Sequence, residues 1–445
     1  MRIARVASLG LLLAPLVVGG CSSSGSAPAP ATDAAKAEPA NAVPTEPAKP
    51  VNTEPEPAKV EPAKPEPTTA QVEPAPAQVE PAKPESTTIE TLVLDSIPKV
   101  TPVPGTLTWQ ERPELAAIRS FHPFILGVLA DCSVGSEDAW CEIDKSGKLV
   151  PSKMTHPDQD LFGIWPSDTW QVRIESQEDA EGDEYREWDE VELLRWTGSR
   201  FARNKKFDIE IDPLSEMAGH PNYAIHEDWS GGMLVNLFGG LTRYRASGSE
   251  YLSLSGDVYD AFSTEAGSVL RFAHHDNMAF DAPCTAMGCG AWALRLPSAK
   301  SDLPADGWTI ENHVPRGKDA LTIAASFEDS GDTYLFHYDP PAPNAAPTTH
   351  VPITVETLDP DPEVIRPDDQ GGLWLEATST LWYREASGRW LDVPGPAGSL
   401  DDWAMRAQPR ELLVVVEGPD GVSRVFASVG LPVAAAAQPA LPAAG

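Results

Sequence analysis

An all-β fold, a β-propeller most simply of seven blades behind an unstructured stalk, is what this 445-residue sequence predicts. Three observations lead there. DWSGGMLVNLFGGLTRYRASG (Asp228 to Gly248) and DDQGGLWLEATSTLWYREASG (Asp368 to Gly388) align without a gap, 140 residues apart. Around them, pairs of short β-rich runs recur through the chain. No segment carries an i, i+3, i+4, i+7 apolar pattern of helical length.

The first twenty residues read as a secretory signal. Met-Arg-Ile-Ala-Arg is followed by an apolar run from Val6 to Val18 and small residues. That run rises only ~20 Å as a helix, short of the ~30 Å hydrocarbon core, so it does not read as a retained span. V-V-G-G-C, ending at Cys21, resembles the lipobox of bacterial lipoproteins. The resemblance implies cleavage before Cys21 and a diacylated sulfur, which would tether the exported protein to a membrane. Ser22 after that cysteine is the residue type that sends such proteins to the outer membrane.

Residues 21–88 are expected to form a disordered spacer. E-P-A-K starts at Glu46, Glu56, Glu61 and Glu80, and 15 of the 69 residues from Ser22 to Glu90 are Pro. Proline removes donors and fixes φ, so neither helix nor sheet propagates, and a semi-rigid polyproline II stalk is favoured. The propeller is expected over 89–430, with an Ala/Pro-rich disordered tail over 431–445.

Within 89–430 the first run of each strand pair starts at Phe124, Asp168, Gly232, Ser268, Ala320, Gly372 and Glu411. The second starts at Trp140, Leu193, Leu241, Trp292, Tyr334, Leu381 and Ser423, with steps of 53, 48, 51, 42, 47 and 42 residues. A strand-only period of about 40–50 residues is that of a propeller blade. The 140-residue match is then three blades and seven units close a ring, although the spacing also admits six or eight. The two best copies resemble the propeller repeats in sensor regions of bacterial two-component regulators. Asp368, Gly371, Leu373, Trp374, Leu381 and Tyr383 fit one copy, and Asp228, Gly231, Met233 and Leu241 another. The G-T of that family's pattern is replaced by Ala377-Thr378 and Leu237-Phe238, and no kinase, receiver or DNA-binding segment follows. A sensor-kinase role is therefore not implied.

The formal charge is −33. Removing the +2 of the signal and the −5 of the spacer leaves −30 on the folded part, a surface that repels nucleic acid. Such a surface could attract cations or basic proteins, but solubility explains it as well. Cys132, Cys141, Cys284 and Cys289 form two close pairs. In an exported protein they are expected as local disulfides, Cys132–Cys141 and Cys284–Cys289. A four-Cys zinc site would need C-x2-C spacing, which is missing.

Motifs for chemistry are sparse: there is no nucleophile elbow, H-E-x-x-H, EF-hand or phosphate loop. His274-His275-Asp276 suits one metal ion poorly, because neighbours on a strand face opposite ways. Asp359, Asp361, Asp368 and Asp369 sit in a Pro-rich loop that would wrap badly around Ca²⁺. Ser167-Asp168-Thr169-Trp170 and Ser330-Gly331-Asp332-Thr333-Tyr334 are only fragments of the S-x-D-x-G-x-T-W box of sialidase-like propellers. Trp165, Trp170, Trp188, Trp196, Trp229, Trp292, Trp374, Trp382, Trp390 and Trp403 recur at blade-like positions. Packing between blades should account for most, and a few could stack on sugars or anchor a peptide. No catalytic, cofactor or metal residue is assigned. The expectation is a lipid-anchored envelope protein, its propeller a non-enzymatic binding module for a protein or glycan partner. The alternatives are an exported hydrolase or lyase on the same fold, or a cofactor-dependent dehydrogenase propeller.

Overall fold

The computed structural model describes residues 88–435 apart from short stretches, chiefly 122–128, 154–160, 163–168, 211–222, 253–257, 274–277, 298–306, 343–349 and 359–361. Cys21 lies outside the described residues, as do Trp165, Ser167, Asp168, His274, His275, Asp276, Asp359, Asp361 and Asp369. Among the described residues no helix is long and apolar enough to cross a membrane.

The fold is a seven-bladed β-propeller. Blade one is Ile118–Phe121, Leu129–Val134, Glu137–Ile143 and Leu149–Pro151; blade two is Leu161–Phe162, Trp170–Glu181, Glu184–Trp196 and Phe201–Glu210. Blade three is Tyr223–Glu227, Met233–Leu237, Gly240–Arg245 and Gly248–Leu252; blade four is Val258–Ser263, Val269–Ala273, Ala279–Thr285 and Trp292–Arg295. Blade five is Trp308–Pro315, Leu321–Phe327, Asp332–Tyr338 and Ile353–Leu358; blade six is Val364–Pro367, Leu373–Ala377, Thr380–Arg384 and Trp390–Val393. Blade seven takes Ser399–Ala407, Arg410–Glu417 and Ser423–Ala434 from the C-terminal end and Val103–Glu111 from the N-terminal end.

The core shows that the ring closes. It divides into seven hydrophobic clusters, and each sits between two successive blades, including blades seven and one. A blade is therefore apolar on both faces, which explains near-continuous runs such as LLVVV in Leu412–Val416 rather than strict alternation. Trp170, Trp374 and Trp403 are among the largest fully buried side chains, so the tryptophans at these positions serve packing between blades.

Six of the seven strand pairs read from the sequence are the second and third strands of a blade. In blade four the third strand is Ala279–Thr285, and the run beginning at Trp292 is the fourth. Pro283 disguises that third strand. The two disulfides form as expected, Cys132–Cys141 across the hairpin of blade one and Cys284–Cys289 across a strand pair of blade four. The boundary expected at 430 moves. The last strand continues to Ala434, with Thr106 paired to Val433 and Gly105 to Ala434.

The 140-residue match has a physical cause in the turn between first and second strands. Asp228 Oδ1 accepts from the Ser230 amide (3.0 Å) and hydroxyl (2.7 Å), and Oδ2 pairs with Arg243 Nε at 2.6 Å. In the later copy Asp368 Oδ1 accepts from the amides of Gln370 and Gly372, and Oδ2 from the Tyr383 hydroxyl, all at 2.7 Å. Arg243 and Tyr383 occupy equivalent positions, so one aspartate is held by two chemistries. Gly232 has φ 120° and a Cβ there would lie 2.0 Å from the Tyr244 carbonyl oxygen, which fixes the second glycine of the motif.

The N-terminal segment runs around the outer rim. Thr88–Thr91 adds in parallel to Trp292–Arg295 of blade four, and Lys99 bridges Thr357 of blade five. Val103 and Pro104 pair in parallel with Leu391 and Asp392 of blade six. The strand then completes blade seven, antiparallel to its third strand. Leu92, Leu94 and Ile97 pack on the core between blades four and five, and Val100 on that between five and six.

Candidate functional site

The first strands of blades three and four, five and six, six and seven, and seven and one touch one another, so these strands ring the axis. Several of them carry polar residues where the rest of the blade is apolar. His226 and Glu227 end the first strand of blade three; Asp260 lies on that of blade four, His313 on blade five, Arg366 on blade six and Asp402 on blade seven. Ordinary burial would exclude these residue types, so their position facing the axis explains them.

His226 Nε2 is paired with Asp260 Oδ1, and both residues are buried. The His313 ring stands edge-on to His226 at 5.4 Å and packs on Phe262 at 4.9 Å. Burial, reinforced by His226, pushes the His313 imidazole down to about 3, so it is neutral at physiological pH. Burial also lowers Arg366 to about 10 and raises Asp402. Asp402 is held in place by the amides of Phe121 (2.6 Å, Oδ2) and Trp403 (2.7 Å, Oδ1). Arg366 interacts electrostatically with Asp402 and with Glu227. Glu227 belongs to blade three and Arg366 to blade six, so that interaction crosses the axis. Glu227, Arg366 and Asp402 each keep part of their surface accessible, although protein surrounds Arg366 closely enough to shift its pKa. All three stand on strands that ring the axis.

Trp229, in the turn after Glu227, stands edge-on to the His313 ring at 6.5 Å. Its amide donates to Ser263 Oγ at 2.7 Å, and its ring packs with Val314, Leu373 and others of the core between blades five and six. A side chain of blade three meets that core only by passing near the axis. Three nitrogens here are buried without a partner among the described residues: Trp229 Nε1, His313 Nε2 and Arg366 Nη2.

A second polar group differs by being fully connected. Arg316 Nε donates to Thr322 Oγ1 (2.8 Å), which meets His337 Nδ1 (2.8 Å); His337 Nε2 meets Glu356 Oε2 (3.0 Å). Glu356 also accepts from Arg384 (3.1 Å) and from Trp390 Nε1 (2.8 Å) of blade six. The chain is continuous when His337 carries its proton on Nε2. Burial pushes the Glu356 carboxyl up, but His337 and Arg384 outweigh it and hold it at about 2; burial lowers His337 to about 4. Every donor in the chain meets an acceptor, as in a clamp between blades.

Of the residues considered from sequence, Asp368 is consumed by its turn, and the cysteines by their disulfides. Among the described residues no group of three or more His, Cys, Asp or Glu has the arrangement of a metal site. The axial residues went unrecognised in the sequence. The available signal was a charged or imidazole side chain inside a short β run, as in YAIHE, ENHVP and VIRP.

No protein-family model matches the chain, and no curated protein matches it. Solved structures similar to it include virginiamycin B lyase from Staphylococcus aureus, at 11% identity and TM-score 0.32, covering 73% of this chain and 99% of the lyase. YCF48 bound to D1 peptide matches at 13% identity and TM-score 0.31, over 76% of this chain and all of the other. Oligogalacturonate lyase from Vibrio parahaemolyticus matches at 9% identity and TM-score 0.31, over 74% and 98%. At such identities and scores nothing about activity follows.

Proposed function

We propose that this chain is a lipid-anchored protein of the cell envelope whose propeller is a non-enzymatic binding module for a protein or glycan partner. The observation that supports recognition over catalysis is the state of the axial groups. His313, the imidazole with an unpartnered nitrogen, holds no proton near neutral pH and is too weak a base to take one. Trp229 beside it, and Arg366 on another strand at the axis, offer unpartnered donors, which suits holding a ligand. Cys21 supplies the anchor and the Pro-rich segment the reach.

The test is a pull-down from envelope extract with the mature chain. Specific, saturable capture of a protein or glycan supports the reading; its failure under several extraction conditions removes it. Lipidation is tested separately by detergent partitioning and intact mass, with Cys21→Ala left uncleaved or soluble. One observation favours a hydrolase or lyase instead, the buried pairing of His226 with Asp260, which resembles an oriented general base. Turnover of any glycoside, peptide or ester, lost in Asp260→Asn, would establish that alternative.

A further inference from the structure

We propose that the outer strand of blade three, Gly248–Leu252, is a docking edge for an extended segment of a basic protein partner, which joins the blade as an added strand. This rests on the reading of the propeller as a binding module, and it names the surface, the mode of binding and the class of partner.

The argument starts from the edges that a propeller leaves. The outer strand of a blade carries unpaired N–H and C=O groups on its far side, and proteins normally cover or disrupt such an edge. This chain covers several with its own rim segment. Thr88–Thr91 lies on blade four, Lys99 bridges Thr357 of blade five, and Val103 and Pro104 lie on blade six. The other edges are guarded differently. In blade one the outer strand is three residues long and ends in Pro151, which has no N–H. In blade two it carries Arg203, Lys205 and Lys206, with a register shift between Arg203 and Lys205. In blade seven the closing strand shifts register between Thr106 and Thr108. Lysines, prolines and bulges are the usual protection of an edge. Blade three has none of them. Its outer strand reads GSEYL, pairs from Leu252 with Leu241 to Gly248 with Arg245 without a shift, and ends its sheet among the described residues.

The backbone there points outward. A two-residue turn, Ala246-Ser247, joins the strand to its partner, so the flanking residues Arg245 and Gly248 exchange the ladder hydrogen bonds. Bonded pairs alternate with unbonded ones along an antiparallel ladder. Ser249 and Tyr251 therefore turn their N–H and C=O groups away from the sheet.

The side chains select the partner. Successive residues face opposite ways, so Tyr251 shares a face with Ser249, and Glu250 the other face with Leu252. Tyr251 is 65% exposed, the one exposed aromatic side chain among the described residues. Glu250 keeps 54% of its side chain exposed, 3.6 Å from an Arg243 that Asp228 already holds. A strand that alternates apolar with basic residues fits both faces, its apolar groups beside the Tyr251 ring and its cations beside Glu250. Cations of blade two do not oppose this, because Lys206 pairs with Glu190 (2.8 Å) and Arg203 with Glu192 (3.1 Å). The formal charge of −33 draws a basic segment from a distance. A second copy of this chain, or its Glu-rich spacer, brings the wrong sign.

The experiment is titration of the mature chain with a short synthetic peptide that alternates lysine with valine and tyrosine, read by calorimetry and by amide hydrogen exchange. Controls are the same peptide with glutamate for lysine, and two forms N-methylated at alternate residues, one in each phase. The basic peptide is expected to bind and to slow exchange at the Ser249 and Tyr251 amides. One phase of methylation should abolish binding and the other should leave it, since only alternate N–H groups face the blade. Tyr251→Pro removes the outward N–H and no ladder bond, and edge strands tolerate proline. It should weaken binding about tenfold or more, with melting within a degree or two of wild type. Glu250→Gln should weaken it about two- to fivefold. If Tyr251→Pro fails to fold, the methylated peptides and the exchange pattern of the wild type decide. No binding of the basic peptide at millimolar concentration overturns the proposal. So does equal binding of the glutamate peptide, binding that both methylated forms retain, or slowed exchange elsewhere but not at Ser249 and Tyr251. If the peptide fails while the envelope pull-down still captures a partner, this inference falls and the binding-module reading stands. If both fail, both fall.

Discussion

Replacing Trp374 by alanine tests the interlocking of blades most directly. The indole is fully buried between blades six and seven. Its ring lies 4.8 Å from that of Tyr383, and Trp403, Leu412 and Val414 belong to the same cluster. Removing so large a side chain from a rigid contact should cost about 3–5 kcal/mol, because the facing blades cannot fully collapse into the space. Unfolding entropy of ~2.1 cal/mol/K per residue over roughly 350 residues is ~0.7 kcal/mol/K, so the midpoint should fall by about 4–7 °C. Trp374→Phe also removes the indole N–H, which has no partner in the core, and should shift the midpoint by less. Calorimetry and circular dichroism would report both variants. One lowered, cooperative transition is expected, since a closed ring has no free blade to melt alone. A shift under 1 °C, or two resolved transitions, would refute the reasoning.

Acid should destabilise the fold well before neutral carboxylates dominate. His337 and His313 have folded pKa values of about 4 and about 3, below the ordinary 6.5. Their contribution is complete above pH 6.5 and is lost as pH falls toward those values. Glu356, at about 2, acts with the same sign below pH 4.5. At pH 5 each histidine should already have cost on the order of 2 kcal/mol, so a midpoint unchanged from pH 7 to 5 would contradict their burial as neutral groups. Gly232→Ala should cost on the order of 3 kcal/mol or more, from strain and collision with the Tyr244 carbonyl. Gly248→Ala has a similar φ, 138°, but open space, so it should cost about half as much or less; equal melting of the two variants would show that the collision is relieved. A chain that begins at Thr88 should melt like the mature protein. One that begins at Val103, without the rim segment packed by Leu92, Leu94, Ile97 and Val100, should lose about 3–5 kcal/mol in denaturant titration; no loss would mean that those contacts contribute nothing.

The sequence revealed the blades through their best-buried strands. Second and third strands lie deep in a blade, so runs such as Leu373–Ala377 and Leu412–Val416 are apolar and easily read. First strands resist reading because they are short, as Leu161–Phe162 is, or because the axis admits His226, His313 and Arg366 among apolar neighbours. The fourth strand of blade seven could not be recognised locally, since Val103–Glu111 lies at the other end of the chain from its partners. The axial site was hidden for a related reason. Its residues come from five blades, and no spacing along the chain marks groups that only ring closure assembles.

That closure also sets an order of events during biogenesis. The Thr106 hydroxyl meets the Val433 carbonyl across 327 residues of sequence, so the first-made strand of the propeller must wait for almost the last. Contacts of such separation form slowly, because the intervening chain must be gathered first. While the chain is emerging from the ribosome or through a translocation pore, Val103–Glu111 has no edge to join, and blade seven has too few strands to be complete. The protein thus stays threadable until its C-terminal strands arrive, and then becomes a closed ring in one late step. On the proposed export route, the location of the closing strand acts as a timer.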